Sequence, residues 1–356
     1  MLTLTSVSKS FGDMVALNGL SLSLPHDRYV SLLGASGSGK TTLLRIIAGF
    51  DEPDSGTLSL DGRRLDGTPP HERGIGFVFQ NFALFPHLTV EQNIAFGLRY
   101  RAKGRLESRD EIAGRVADMV RLVGLEGLEK RKVMAVSGGQ RQRVALARTL
   151  VTEPGFVLLD EPLGALDANL RERMCDELRA IRERLKVTFF HVTGSESEAL
   201  MMGETVAVLS RGVIAQSGPA SALFETPADA EVARHLAAYN ILKGRAEGGR
   251  FVFPAASFPL PGGVAVPSGA PIEVALRFDR IRVLPAASGA EGIPARFVAS
   301  EFTGASTLSF FRTGDGALLQ VVAPVGTALP EPYAEGEPYL LAFDSDLAIP
   351  FLERAA

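Results

Sequence analysis

One short stretch of the chain has the residue types and the spacing that bind a phosphate chain. Residues 34–41 read GASGSGKT and match the pattern G-x-x-x-x-G-K-[ST], between an apolar run and a helical pattern. The glycines let backbone N–H groups approach a phosphate without a clash at Cβ, and the following helix adds its dipole. Lys40 would then reach the outer phosphates, and the Thr41 hydroxyl would bind Mg²⁺. The stretch therefore predicts a binding loop for a nucleoside triphosphate.

A second group of residues could carry out hydrolysis. The apolar run 156–159 is typical of a buried strand, and it ends in Asp160 and Glu161. Beside the phosphate loop, Asp160 can hold Mg²⁺ and its water, and Glu161 can act as a general base on an attacking water. Two acids after an apolar strand are also common without a catalytic role, so this interpretation depends on the phosphate loop.

The stretch 136–143, which reads VSGGQRQR, indicates a second phosphate-binding end. A Ser-Gly-Gly turn opens a helical pattern that continues through residues 144–146, so it offers N–H groups, a hydroxyl and a helix dipole. A single nucleotide needs only one phosphate loop. A second phosphate-binding end therefore suggests a site that another subunit completes.

These three motifs, in their order along the chain (34–41, 136–143 and 156–161), resemble those of the ABC transporter ATPases, whose signature is [LV]-S-G-G-Q. The resemblance covers roughly residues 1–235. It implies a P-loop NTPase fold that binds ATP and Mg²⁺ and hydrolyses ATP as one half of a nucleotide-sandwich homodimer. It also implies integral-membrane permease subunits, a solute-binding protein as an indirect partner, and a position on the cytoplasmic face of the inner membrane.

The resemblance assigns roles to further residues. Phe11 is similar to the aromatic that stacks on adenine, although alone it would be a core residue at a strand edge. Gln80 is similar to the glutamine that contacts Mg²⁺ and reports to the membrane subunit. Glu161 and Gln80 are then the catalytic residues, and Thr41, Gln80 and Asp160 are the metal ligands. The predicted nucleotide contacts are Phe11, Gly34, Ala35, Ser36, Gly37, Ser38, Gly39, Lys40, Thr41, Thr42, Ser137, Gly138, Gly139, Gln140 and Asp167.

The chain departs from the family where a switch histidine is expected in a Val-Thr-His-Asp pattern. Residues 191–196 read HVTGSE, which puts Gly194 at the histidine position and Ser195 after it. His191 lies three residues earlier, about 10 Å back along a strand and on its other face. We expect it to be a sheet histidine with a local hydrogen bond.

The missing histidine affects the expected rate. Losing one preorganised donor typically costs about 10²–10³ in turnover. We expect slow but real hydrolysis, because Lys40, Thr41, Asp160 and Glu161 remain. The open alternative is a nucleotide-gated switch that binds ATP and scarcely hydrolyses it.

The elements that must position these residues follow from the apolar pattern. Before residue 240, strand-like runs alternate with helical patterns, as in 29–33 followed by 41–48 and 156–159 followed by 170–185. This alternation predicts an α/β layer fold with a largely parallel sheet. The resemblance adds a helical subdomain at about 81–150. Residues 83–87 would lie near a groove for a membrane-protein helix, or would be a solvated apolar loop.

After residue 240 the pattern changes. Twelve of the 21 prolines fall there, and short alternating runs flank the turn 313–316, which contains Asp-Gly. We predict a small all-β barrel or sandwich over 241–356, which resembles the TOBE domain of importer ATPases. The helical pattern 230–239 would connect it to the first domain.

Composition excludes other classes of protein. The net charge of −4 lacks the basic excess of a nucleic-acid binder. Fewer than a hundred residues separate Lys40 from Ser137, without the heptads of chromosome ATPases, and only one cassette is present. The single cysteine gives no disulfide framework, the N-terminus lacks a signal-peptide pattern, and no apolar stretch reaches about 20 residues.

The solute can be guessed only from one stretch. Residues 80–90 read QNFALFPHLTV and are similar to the importer branch that serves polyamines, ferric iron and related solutes. A sugar importer is the nearest alternative.

Overall fold

The chain divides into two compact units, Met1–Leu223 and Phe224–Ala356. The computed structural model describes residues 1–100, 108–164, 168–262, 266–326 and 333–352. The domain bounds 1–235, taken from the family resemblance, and 241–356, taken from the change in composition, remain a prediction. None of the helices in the described ranges has both the length and the apolar character that a membrane span requires.

The described strands of the first unit form two sheets. These strands are β1 (Leu2–Phe11), β2 (Met14–Leu24), β3 (Tyr29–Leu33), β4 (Ser55–Leu60), β5 (Arg63–Arg64), β6 (Ile75–Val78), β7 (Phe156–Asp160), β8 (Thr188–Thr193), β9 (Thr205–Ser210) and β10 (Val213–Gly218). An antiparallel sheet has the order β2-β1-β4-β5, and a six-stranded sheet has the order β10-β9-β3-β8-β7-β6. In the second sheet only the edge strand β10 is antiparallel to its neighbour.

Helices follow or precede the strands of the six-stranded sheet along the chain. Those of the first unit are α1 (Lys40–Ala48), α2 (Val90–Ala95), α3 (Arg109–Leu122), α4 (Gly138–Leu150), α5 (Ala168–Leu185) and α6 (Glu196–Met202). Helix α7 (Ala220–Glu225) spans the boundary between the units, and α8 (Ala230–His235) belongs to the second unit, where it contacts β11 and β14, two strands of that unit. Capping boxes open α2, α3 and α4, which fall in the predicted helical segment 81–150. The expected α/β alternation is confirmed, since the predicted strands lie in β3 and β7 and the predicted helices in α1 and α5.

The parallel sheet brings four loops to one edge. Strands β3, β8, β7 and β6 run in the same direction, so their carboxyl ends meet there. Every residue of β3 and β8 is buried, which explains why apolar residues occupy both faces of each strand instead of alternating with exposed polar ones. The loops after these strands carry the residues singled out by their chemistry.

Two apolar clusters pack against the sheets of the first unit. One contains residues of α2 to α5, and the other joins α1 to the antiparallel sheet. Cys175 of α5 is buried in the first cluster, and burial raises the pKa of its thiol to about 11. Its position makes it a core residue.

The second unit is built almost entirely of strands. In the described ranges they are β11 (Tyr239–Glu247), β12 (Arg250–Phe253), β13 (Ala256–Pro259), β14 (Pro271–Arg277), β15 (Arg282–Pro285), β16 (Ile293–Phe302), β17 (Ser306–Thr313), β18 (Leu318–Pro324), β19 (Pro338–Ala342) and β20 (Ile349–Leu352). They form two five-stranded antiparallel sheets, β13-β12-β11-β14-β20 and β15-β19-β16-β17-β18, around a shared apolar core.

Two local expectations about this region have different outcomes. The predicted turn at 313–316 is confirmed as the β17–β18 hairpin, in which Thr313 N–H donates to Ala317 O at 2.9 Å. The helical pattern predicted for 230–239 is wrong at its end. Helix α8 stops at His235, because Ala237 adopts a left-handed φ of 45°, and Tyr239 begins β11.

Candidate functional site

The loop after β3 wraps around the side chain of Lys40. Lys40 opens α1, and its Nζ donates to Gly34 O at 2.8 Å and to Ala35 O at 2.9 Å. Its residue is 7% exposed. Burial lowers the pKa of Lys40, and the nearby charges of Glu161 and Asp160 oppose that shift. The ammonium is therefore held inside a loop whose next residues, 35–37, are exposed.

Two glycines of this loop are required by close approach. A Cβ on Gly34 would lie 2.6 Å from both Leu209 O and Ser38 Oγ. A Cβ on Gly39 would lie 2.4 Å from Ala16 O, and Gly39 has a φ of 104°. The Ser38 hydroxyl is buried without a hydrogen-bond partner. A cradle without side chains and an unsatisfied hydroxyl fit a phosphate chain.

The end of β7 places both acids at the same edge. Asp160 is the last residue of β7, and Glu161 follows it with a φ of 43°. Its N–H donates to Val192 O of β8 at 2.9 Å, which fixes the turn. Burial, followed by the charge of Glu161, raises the pKa of Asp160, and Lys40 opposes this. The positive charge of Lys40 therefore does not fully offset the effects of burial and of Glu161 on Asp160.

Gln80 reaches the second acid from the loop after β6. Its Nε2 donates to Glu161 Oε2 at 2.9 Å, although 81 positions separate the two residues in the chain. The contact leaves the Gln80 amide oxygen as the atom that could bind a metal. The structure thus brings Lys40, Gln80, Asp160 and Glu161 together.

The acidic residues of this site would suit a magnesium ion that takes some of its ligands from the phosphate oxygens of a bound nucleotide. Within the described ranges, no three His, Cys, Asp or Glu side chains lie together as a metal centre. Magnesium usually takes one or two carboxylates, with waters and substrate phosphates as its other ligands. Asp160 and the Thr41 hydroxyl in the first turn of α1 supply ligands of that kind, and Thr42 follows in the same turn.

The Ser-Gly-Gly stretch forms the start of α4, as its sequence predicts. Ser137 is the N-cap: Gln140 N–H donates to Ser137 Oγ at 3.3 Å, and Ser137 N–H donates to Gln140 Oε1 at 2.9 Å. Ser137 is exposed, whereas Gly139 is buried. Among the described contacts, no hydrogen bond or ion pair joins residues 137–140 to residues 34–42 or to the two acids. The two stretches predicted to bind phosphate are thus separate in one chain.

The remaining predicted contacts lie at the edges of this site. Phe11 ends β1 with 47% of its surface exposed, so the interpretation of Phe11 as a core residue is wrong. Lys9 Nζ lies 5.6 Å from its ring centroid and is paired with Asp54. Asp167 lies outside the described residues.

Comparison with known proteins gives matches that extend over almost the whole chain. A family profile described as "ABC transporter" matches residues 17–164, and one described as "TOBE domain" matches residues 274–351. The spermidine/putrescine import ATP-binding protein PotA 1 of Pseudomonas aeruginosa is 40% identical over 363 residues, which cover 99% of this chain and 97% of that protein. The chain belongs to the ABC transporter ATP-binding proteins.

Further relatives and solved structures agree with this assignment. A protein of the same name, PotA, from Rubrobacter xylanophilus is 42% identical over 89% of this chain and 84% of its own length. The sulfate/thiosulfate import ATP-binding protein CysA 1 of Chromobacterium violaceum is 42% identical over 82% and 80%. A dimeric structure of a bacterial ABC transporter cassette gives a TM-score of 0.56 at 32% identity, covering 62% of this chain and 99% of that one. As an ABC ATPase, this chain binds and hydrolyses ATP.

The loop after β8 lacks the histidine expected of an ABC ATPase. Gly194 is exposed, and a Cβ added to it would meet no atom within 4 Å. Ser195 is the N-cap of α6: its Oγ accepts from Glu198 N–H at 3.4 Å and lies 3.0 Å from Ser197 Oγ. The Ser195 hydroxyl is therefore already engaged in capping α6.

His191 does not replace the missing group. It is fully buried, and its Nδ1 lies 3.0 Å from Tyr29 Oη of β3. Its Nε2 lies 3.6 Å from Glu198 Oε2, so both ring nitrogens face other buried side chains. The expectation of a sheet histidine with a local hydrogen bond is confirmed.

Glu198 is a buried residue that reasoning from the sequence missed. It is 3% exposed, and it accepts a hydrogen bond from Thr193 Oγ1 at 2.8 Å. Ser195 N–H in turn donates to Thr193 Oγ1 at 3.0 Å. Burial raises the pKa of Glu198, but His191, Thr193 and Arg171 together outweigh burial and hold the pKa below its usual value. Only the spacing Ser195-x-x-Glu198, typical of a capping box, could have indicated it.

Proposed function

We propose that this ABC ATPase hydrolyses ATP with Glu161 as the general base, in a dimer of two copies, and powers the uptake of a polyamine. The observation that carries the chemistry is the contact between Gln80 and Glu161 beside the loop that encloses Lys40. The permease subunits would recruit the chain to the cytoplasmic face of the inner membrane, and they would receive a solute-binding protein on the other side.

The geometry supports a direct attack of water on the terminal phosphate. Lys40 would exchange its two carbonyl bonds for oxygens of the outer phosphates, and Phe11 would stack on adenine. Glu161 would take a proton as the water oxygen bonds to phosphorus and the bond to ADP breaks. Gln80 would hold the Glu161 carboxylate in place. Bound Mg²⁺, held by Asp160 and Thr41, would neutralise charge on the phosphates.

The separate start of α4 supports a dimer. Ser137 at the start of α4 is exposed, and no hydrogen bond or ion pair among the described residues joins residues 137–140 to the phosphate loop or the two acids of their own chain. A second copy, turned head to tail, could place this end on the terminal phosphate that the first chain binds. Related ABC cassettes have been solved as dimers, one of them with ADP and Pi, at a TM-score of 0.55 and 32% identity.

The extent of similarity favours a polyamine as the solute. The match to the spermidine/putrescine protein spans 99% of this chain and so includes the β-rich second unit. The matches to sulfate/thiosulfate import proteins cover 82% of this chain for that of Chromobacterium violaceum and 93% for that of Ralstonia nicotianae. Sulfate import is therefore the second candidate.

The hydrolytic role of Glu161 can be tested with a nearly isosteric variant. We expect Glu161→Gln to lower phosphate release from Mg-ATP by about 10²–10⁴-fold, because the amide cannot accept the proton. ATP binding, followed with a fluorescent analogue, should persist. Equal release by wild type and variant would contradict the role.

The solute can be tested in cells that lack this chain. Complementation with wild type should restore uptake of labelled putrescine or spermidine, whereas Lys40→Ala, which cannot hold the phosphates, should not. Restored sulfate uptake with unchanged polyamine uptake would instead favour the second candidate.

A further inference from the structure

The loop that carries Gln80 has a strained backbone. Phe82 and Ala83 are consecutive non-glycine residues with φ values of 63° and 45°. A left-handed conformation brings Cβ close to the following carbonyl, so single non-glycine residues adopt it rarely and pairs more rarely still. Such a backbone persists only where its surroundings hold it in place.

Arg148, in the last turn of α4, contacts this strained segment directly. Its Nη1 donates to Ala83 O at 2.7 Å, and its Nη2 donates to Phe82 O at 2.9 Å. The guanidinium also lies over the ring of Phe85, 5.6 Å from its centroid. Among the described residues, Arg148 forms no ion pair with a carboxylate, and burial lowers its pKa. Its charge thus acts on two backbone carbonyls.

The neighbouring residue holds the other side of the loop. Thr149 Oγ1 donates to Phe77 O at 3.2 Å, in the strand that leads into Gln80. A Cβ on Gly76 would lie 2.4 Å from Thr149 Cγ2, so α4 packs directly on this strand. The last turn of α4 therefore bonds to the backbone three residues before Gln80 and again two and three residues after it.

We infer that Arg148 is a positioning residue for catalysis: by bonding to the carbonyls of Phe82 and Ala83, it fixes the loop that keeps the Gln80 amide on Glu161. This inference rests on the proposed role of Glu161. The planar fork of arginine bonds to both carbonyls at once. Lysine carries the same charge as a single point and lacks that fork.

A double-mutant cycle on turnover tests the inference. Arg148→Lys should lower kcat by about 10- to 100-fold, the effect of misplacing a catalytic group by about 1 Å, with a KM for ATP within about twofold of wild type. Combined with Gln80→Ala, it should produce no further loss, because the group that it positions is already gone. A purely structural role would lower the melting temperature and leave kcat per folded molecule unchanged.

The same helix offers a matched control. Arg143 pairs with Glu177 of α5 and makes no described contact with the Gln80 loop. The effects of Arg143→Lys and Gln80→Ala on kcat should multiply. If Arg148→Lys fails to fold, Thr149→Val keeps the shape of the side chain and removes its hydrogen bonds to Phe77 O and to Ala145 O within α4. Thr149→Val should likewise have no further effect on kcat when it is combined with Gln80→Ala.

The outcomes separate the two proposals. Effects of Arg148→Lys and Gln80→Ala that multiply, or a kcat that Arg148→Lys leaves unchanged, would overturn the positioning role while Glu161→Gln still abolishes release. Release that Glu161→Gln does not change would overturn the proposed chemistry itself.

Discussion

The loops after β3 and β8 both lie at the carboxyl edge of the sheet and both contain glycine, but for opposite reasons. At Gly34, an added Cβ would collide with Leu209 O and Ser38 Oγ, so the backbone itself occupies the space. At Gly194, an added Cβ would meet nothing within 4 Å. The first glycine is required by the fold. The second leaves room for a side chain that ABC ATPases normally carry there.

The largest effect should come from filling the open position. Gly194→His should raise kcat by about 10²-fold, up to 10³-fold, because it adds a donor close to the developing charge. The measurement is ATP turnover in the assembled transporter. Unchanged turnover would show that water or a partner residue already does this work.

A smaller effect, in this case a loss of ATP affinity, should follow from placing a side chain at Gly34. Gly34→Ala forces the loop to shift, at a cost of about 1–3 kcal/mol for overpacking. If this free energy is lost only in the complex with ATP, the affinity for ATP drops by about 5- to 150-fold. Titration with a fluorescent nucleotide measures this. Gly194→Ala is the matched control and should leave affinity unchanged and stability within about 0.5 kcal/mol.

A third effect, on the free energy of unfolding rather than on turnover or ATP affinity, concerns the hydrogen bonds that hold the loop after β8. Glu198 bonds to Thr193, which in turn accepts from Ser195 N–H. Because its pKa is lowered in the folded state, Glu198 adds stability above its unfolded pKa, and this is lost as pH falls through the folded pKa. Glu198→Gln should therefore cost about 1–3 kcal/mol at pH 7.

The pH dependence provides the control for this variant. Urea unfolding of wild type and Glu198→Gln at pH 7 and near pH 3 should show the difference shrinking at the lower pH. A difference that stays constant with pH would mean that the carboxylate charge does not contribute.

The sequence alone predicted the elements whose residues are adjacent in the chain. The phosphate loop, the strand that ends in Asp160, and the Ser137 cap each lie within a few consecutive residues, so their patterns survive without tertiary information. Phe11 and Gln80 needed the family resemblance, because an isolated aromatic or amide has no local signature. The roles of all these residues remain predictions.

Other features depend on partners that are distant in the chain. Arg148 meets carbonyls more than 60 positions away, and Tyr29 meets His191 across two strands. The left-handed φ at Ala237 ends α8 early, and the sequence gives no sign of it because the residue is neither glycine nor asparagine. These depend on three-dimensional packing, which no single stretch of sequence encodes.

The burial of Cys175 has a practical consequence for studying this ATPase. With a pKa of about 11, only about one thiol in 10⁴ is ionised at pH 7, and the thiolate is the form that reacts. It is the only cysteine in the chain. A second cysteine placed at an exposed position outside the predicted site, such as Glu126, could therefore be labelled selectively in the otherwise native chain. Spin or fluorescence probes there would report the distance between two copies as nucleotide binds and leaves.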